Sequence, residues 1–299
     1  MLSSPNTPLS FDSRVNILGV GVTPLDLPSA VSRVLSFLTT GRRGYVCVTG
    51  MHGIMEAQRD PDLRAIHNNS VMTTPDGIPT VWIGHLDGYR AMEQVRGADL
   101  MLRVCEDSVK LGTRHFLYGG KPGVADLLRH ILEIRYPGIN IVGTYSPPFR
   151  ALTPQEEHWL QHHLEELRPD ILWCGISTPK QERFMAQYIH VLPVQLMIGV
   201  GAAFDLNAGL IKDSPLWVQR SGLQWAHRLL QEPRRLWRRY LLNIPRFLYC
   251  HFLQRTGLRV YNLDAPDATS LPPRPGSLIP ASGSGDSGDA SDELRDVAA

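Results

Sequence analysis

Cysteine is scarce in this chain. Its four cysteines, Cys47, Cys105, Cys174 and Cys250, are separated by 58, 69 and 76 positions, with no CxxC pair and no Cys/His cluster of zinc spacing. This pattern disfavours both a disulfide framework and a structural metal, and the reducing cytoplasm becomes the expected compartment. Long apolar runs are missing as well. Nowhere do about 18 apolar residues follow one another, so no helix is expected to cross a bilayer. The opening segment MLSSPNTPLSFDSRV has neither the basic nor the apolar region of a secretory signal. An excess of one charge sign is lacking too: 30 Lys+Arg against 29 Asp+Glu leave a net +1, which argues against a nucleic-acid partner. There is no internal repeat.

What is present is ordinary globular material. The 299 residues are 43% hydrophobic and 20% charged, enough for one large domain or two smaller ones with a real core. Short apolar, β-branched runs predict strands at Val15–Val22, Tyr45–Thr49, Val71–Thr74, His115–Tyr118, Ile139–Thr144, Ile171–Ile176 and Leu196–Val200. Helical periodicity lies between them near Leu27–Leu38, Pro61–Asn68, Ala98–Leu111, Pro122–Arg135, Thr153–Leu167 and Pro179–His190. Strand–helix alternation with such connections implies an α/β, Rossmann-like, mostly parallel sheet flanked by helices. Ligands of these sheets bind at the carboxyl ends of the strands, so the loops after the strands are where chemistry is expected.

Charge is segregated along the chain. An α/β domain over 15–214 follows an N-terminal extension of residues 1–14 and precedes a helical, basic appendage over 215–259. Within the appendage, residues 228–259 hold eight Arg against the single acid Glu232, a local +7. Residues 260–299 are Pro-, Gly- and Ser-rich, carry a net −5 and are expected to be a disordered tail. The appendage mixes Arg228, Arg234, Arg235 and Arg238 with Trp225, Trp237, Tyr240, Phe247, Tyr249 and Phe252. Arginines among aromatics on helices suit an anionic membrane surface or the diphosphate of a lipid-linked substrate. The alternative is a helical hairpin with aromatics on the core and arginines in water.

Several loops can carry chemistry. Pro75-Asp76-Gly77 ends a predicted strand, which places the Asp76 carboxylate at the cleft as a base for a hydroxyl, or as the turn residue common in Pro-Asp-Gly. Gly119 and Gly120 lie between a strand and a helix, where backbone can approach a phosphate, or they form a plain turn. After another strand, Gln181 and Lys180 offer an amide and a cation to a phosphate, beside Ser177 and Thr178 as ordinary helix caps. Asp205 is suited to a ribose hydroxyl or to a turn. Gly19-Val20-Gly21 and Gly199-Val200-Gly201 lack the third small residue of a dinucleotide fingerprint, and neither is expected to open a helix. An NAD(P)-dependent Rossmann oxidoreductase and a non-catalytic, membrane-tethered nucleotide-binding protein are the rival readings.

Taken in order, the segments from about residue 15 to 242 resemble the WecG/TagA/CpsF glycosyltransferase family (glycosyltransferase family 26). The resemblance rests on TPDG at 74–77, V-x-G-x-D-L at 95–100, L-x-GG-x-x-G at 117–123 and YPG at 136–138. It continues through G-x-Y-S-P-P-F at 143–149, PDIL at 169–172, G-x-x-x-PKQE at 175–182 and IGVG-x-x-FD-x-x-AG at 198–209, ending with GL-x-W-x-x-RL-x-x-EP-x-R at 222–234. It implies a metal-independent, inverting transfer, needing no cofactor, from a UDP-sugar to a polyprenyl-diphosphate-linked saccharide. The implied setting is bacterial surface or exopolysaccharide synthesis, peripheral on the inner face of the cell membrane; a homo-oligomer is compatible with it. The resemblance makes Asp76 the base and matches Thr49 to the polar residue beside the acceptor site. It suggests Gly119 and Gly120 for close approach of the nucleotide, Tyr145 for stacking on uracil and Asp205 for the ribose. Gln181, Arg228, Arg234, Arg235 and Arg238 would then meet the diphosphate or the membrane. The chain departs from the family pattern at Met51 (usually Asn), Gln94 (usually Arg), Asp213-Ser214-Pro215 (usually Arg-Ala-Pro) and Gln224 (usually Glu). These departures bear on the sugar, for which N-acetylmannosamine is usual in the family and glucose competes.

Overall fold

The structure is a computed structural model describing residues 13–263 apart from 216, 219, 220, 232, 235, 236 and 238–240. The expected extension (all but its last two residues), most of the tail, Arg235 and Arg238 therefore lie outside the described residues, as does the side chain of Arg228.

The alternation seen in the sequence becomes a six-stranded, all-parallel sheet. Its strands are β3 (Gly44–Thr49), β4 (Met72–Pro75), β5 (Arg114–Gly119), β6 (Asn140–Tyr145), β7 (Ile171–Gly175) and β8 (Leu196–Gly199), in the order β4-β3-β8-β7-β5-β6. The strands are mostly apolar on both sides because helices cover both faces, although β4 also buries Thr73 and Thr74 and β5 buries His115. Val46, Leu117, Trp173 and Ile198 point to one face, under α1 (Leu27–Leu38), α5 (Gly97–Ser108), α6 (Val124–Arg135) and the five-residue α9 (Ala203–Asn207). Their strand neighbours Cys47, Phe116, Tyr118, Leu172, Cys174 and Met197 point to the other face. There they meet α3 (Pro61–Asn69), α7 (Pro154–Leu167) and α8 (Lys180–Tyr188). Helix starts follow local chemistry. Asp26 Oδ1 accepts from the Ser29 amide at 2.9 Å, and Thr153 with Glu156 forms a reciprocal capping box.

Three expectations are corrected. Val15–Val22 is a hairpin, β1 (Val15–Ile17) and β2 (Val20–Val22), paired antiparallel in a sheet of its own. Positive φ at Leu18 (52°) and Gly19 (81°) turns the chain back on itself there. Two helices were not expected, α2 (Met51–Ala57) and α4 (Ile78–Leu86), since only Gly50 separates the first from β3 and only Asp76-Gly77 the second from β4. Finally, Gly199-Val200-Gly201 does lead into a helix, the short α9.

The helix Asn243–Arg255 is anchored on the hairpin. Gln254 accepts from the Leu18 amide at 3.0 Å and donates to the Asn16 carbonyl at 2.9 Å, while Asn16 Nδ2 donates to the Tyr261 carbonyl at 2.7 Å. Phe247, Cys250 and Tyr261 are buried in this third cluster, so packing continues past the composition change near residue 260. All four cysteines are buried free thiols.

Candidate active site

After β3 the chain steps outward to β4, and after β5 it steps to the opposite edge, β6. The loops at the carboxyl ends of the sheet therefore diverge and open a cleft there, as expected of such sheets. On one side of that cleft stands Asp76. Its amide donates to the Thr49 carbonyl at 3.0 Å, and its own carbonyl accepts from Gln94 Nε2 at 2.5 Å. The turn carrying the carboxylate is thus held from β3 and from the segment before α5. Close approach of Gly50 to Gly77 tightens the same corner: a Cβ on Gly50 would lie 3.4 Å from the Gly77 nitrogen. Asp76 is half-buried, and Thr49 beside it is buried at the end of β3.

Across the sheet the backbone itself forms a seam. Gly119 has φ +138°, and a Cβ there would lie 2.6 Å from the Gly175 carbonyl carbon and oxygen. The Gly120 amide donates to that carbonyl at 3.1 Å. Such spacing admits only glycine and packs the ends of β5 and β7 backbone against backbone. Tyr145, at the end of β6, belongs to an aromatic row, with Tyr118 5.8 Å and Trp159 5.0 Å away between ring centroids.

Gln181, expected to donate to a phosphate, already has one amide donor engaged. It is buried under the β8 loop, its Nε2 already donating to Glu182 Oε1 at 3.0 Å, and its Oε1 has no partner among the described residues. What it offers is an acceptor near Gly201, where a Cβ would lie 3.5 Å from that oxygen. Glu182 is buried as well, and burial pushes its carboxyl above the ordinary value. Lys180 reaches the loop after β6, its Nζ donating to the Phe149 carbonyl at 3.3 Å. Asp205 is half-buried on α9, where its carbonyl accepts from the Leu210 amide at 2.9 Å, and Arg234 is exposed.

One feature of the site escaped the sequence reading. Arg96, 9% exposed, grips Asp99 (2.7 Å) and Asp213 (2.8 Å) at the start of α5. Two carboxylates raise its pKa further above the ordinary arginine value, although burial opposes them. The nonfamily Asp213 is therefore matched to Arg96 and ties the chain after α9 to the cleft wall. In sequence the two partners stand 117 positions apart, and only Asp213 marks itself as a departure from the family pattern.

The chain matches the model of the glycosyl transferase WecG/TagA/CpsF family over residues 15–260. It belongs to that family. It is therefore a glycosyltransferase, in agreement with the order of motifs in its sequence. Among its relatives is an N-acetylglucosaminyldiphosphoundecaprenol N-acetyl-beta-D-mannosaminyltransferase of Bacillus subtilis (strain 168). The two are 31% identical over 191 residues, which is 64% of this chain and 72% of the relative. A protein of the same name from Bacillus spizizenii (strain ATCC 23059 / NRRL B-14472 / W23) is 29% identical over 225 residues, 75% of this chain and 84% of the relative.

Proposed function

We propose that this family member transfers a hexosyl group, of the N-acetylmannosamine type or glucose, from a UDP-sugar to a polyprenyl-diphosphate-linked saccharide, with inversion and without a metal. The observation that carries the reading is the clamped Asp76 turn beside Thr49, set at the same carboxyl end of the sheet as the Gly119–Gly120–Gly175 seam. In this reading the Asp76 carboxylate removes the proton of the acceptor hydroxyl as that oxygen attacks the anomeric carbon. The bond to the UDP oxygen breaks on the opposite face, and the diphosphate leaves with the electron pair. A single displacement inverts the anomeric centre and forms no glycosyl-enzyme intermediate. The seam admits the nucleotide closely, with Tyr145 available for stacking and Asp205 for the ribose. Arginines of the appendage (Arg228, Arg234, Arg235 and Arg238) meet the diphosphate charge. The names of the two Bacillus relatives support a lipid-diphosphate acceptor and favour N-acetylmannosamine as the sugar.

A peripheral position on the membrane fits the same reading. Among the described residues no helix is long and apolar enough to cross a membrane. Yet Trp82 and Leu86 on α4 stand more than half exposed, as do Trp217, Leu230 and Leu242 of the appendage. Gly222 brings the appendage against α4, since a Cβ on it would lie 3.2 Å from Ile78. Apolar side chains gathered on a basic element suit an interfacial surface.

The decisive experiment is Asp76→Asn with UDP-N-acetylmannosamine or UDP-glucose and a short-chain polyprenyl-diphosphate saccharide. Turnover is expected to fall by at least about a hundredfold while UDP binding persists. Near-normal turnover in this variant would refute the base assignment.

A further inference from the structure

Asp76 is held on both sides of its Cα, and the two supports differ in kind. Its amide donates to the Thr49 carbonyl at 3.0 Å, backbone to backbone, whereas its carbonyl accepts from a side chain, Nε2 of the half-buried Gln94, at 2.5 Å. The residues beside them are paired too. The Val95 amide donates to the Pro75 carbonyl at 2.9 Å, and the Thr74 hydroxyl to the Val95 carbonyl at 3.4 Å. Gln94-Val95 therefore lies along Thr74–Asp76 as a short splint, and the Gln94 amide reaches past the end of β4 to the turn itself.

Charge fixes the other end of the splint. Arg96 donates from Nε and Nη2 to Asp99 at 2.7 and 2.9 Å, and from Nη1 and Nη2 to Asp213 at 3.1 and 2.8 Å. Asp213 Oδ1 also accepts from the Ser214 amide at 2.8 Å. Two bidentate pairs hold a guanidinium in one place, because each carboxylate must match two N–H groups at once. We propose that Gln94 is a positioning residue for the Asp76 base, and that Asp213, through Arg96, keeps Gln94 in register with the turn. With the amide held by Thr49 and the carbonyl by Gln94, both backbone torsions of Asp76 are fixed, and the direction of its Cα–Cβ bond with them. A base must stay within hydrogen-bond reach of the proton it removes, and a displacement of about 1 Å can cost roughly a hundredfold in rate. Two positions at which the chain departs from the family pattern, Gln94 and Asp213, thus serve one device. The proposal rests on the transferase reading given above.

The test uses the full chain and the same donor and acceptor, comparing Gln94→Leu, Gln94→Arg, Asp213→Ala and the double variant Gln94→Leu/Asp213→Ala. Gln94→Leu is expected to lower kcat about tenfold, with donor KM and UDP binding unchanged, because the lost bond orients the base rather than the substrate. Gln94→Arg, whose guanidinium also donates, recovers most of that loss. Asp213→Ala slows the wild-type chain but not the Gln94→Leu variant, since both changes act on one turn. Labelling with carbonyl-13C aspartate and 15N glycine supplies a readout independent of turnover, because Asp is followed by Gly only at Asp76–Gly77 and Asp87–Gly88. The Asp76 carbonyl resonance, identified by its loss in Asp76→Asn, should move upfield in Gln94→Leu and return in Gln94→Arg. Wild-type kcat in Gln94→Leu, multiplied losses in the double variant, or an unmoved Asp76 carbonyl would each overturn the proposal. Asp76→Asn turning over at the wild-type rate would refute the base reading and the positioning role together. A slow Asp76→Asn beside a fast Gln94→Leu would refute the positioning role alone.

Discussion

Replacing His67 should change how stability depends on pH by an amount that follows from its burial. Desolvation inside the fold and, secondarily, the neighbouring Arg14 lower the His67 pKa from the ordinary 6.5 to about 4. Above pH 6.5 both folded and unfolded chains hold the ring neutral, so the linkage contributes nothing. As the pH falls below 6.5 the unfolded chain takes up a proton that the folded chain refuses, and stability is lost until the folded ring also protonates near 4. The loss amounts to about 2 kcal/mol at pH 5 and about 3 kcal/mol once both forms are protonated. The assay is urea denaturation of wild type and His67→Leu at pH 7.5, 6 and 5, read as the difference between the two proteins. Relative to wild type, the variant should gain about 2 kcal/mol between pH 7.5 and 5. His115 is also buried with a pKa near 4, between Trp173 Nε1 at 3.1 Å and Ser108 Oγ at 2.9 Å, but it is present in both proteins and cancels. Glu182, whose raised pKa acts with the opposite sign, cancels in the same way. A pH-independent difference would refute the reasoning.

Two further outcomes test the site and its setting. Gly119→Ala sets a Cβ 2.6 Å from rigid backbone of Gly175 at φ +138°, which should cost about 3 kcal/mol, lower the Tm by roughly 6–12 °C and weaken UDP binding. Unchanged melting and UDP titration curves would show that the seam is not tight. The full chain should cosediment with vesicles rich in anionic lipid at low salt and be released near 1 M salt, where charge attraction is screened within about 3 Å. Replacing Trp82 and Leu86 by Ser should weaken that binding, whereas absence of binding at low salt would count against a membrane-facing appendage.

Much of the site was legible because it lies in loops that follow strands. Asp76 and the Gly119–Gly120 pair could be placed from Pro-Asp-Gly and Gly-Gly at strand ends, since turn chemistry is local. The direction of the Gln181 amide is not local information, because it depends on a partner, here the adjacent Glu182. Helices α2 and α4 went unseen: Gly50 and Gly77 look like loop residues, yet they are the positions from which those helices start. The gap between Arg96 and Asp213 closes only when α9 brings the chain back over α5.

The sequence by itself determined the α/β class, the parallel sheet, the family and the segregation of charge into one arm. These follow from periodicity, turn residues and ordered motifs, all of which act over a few residues at a time. Tertiary structure alone decided which side chains share a cleft. It set Gln94 against the Asp76 carbonyl, Asp213 against Arg96, and the ring of His67, unpaired among the described residues, inside the core. The reason is physical: burial and pairing depend on which surfaces meet, and surfaces far apart in sequence meet only once the sheet order is fixed.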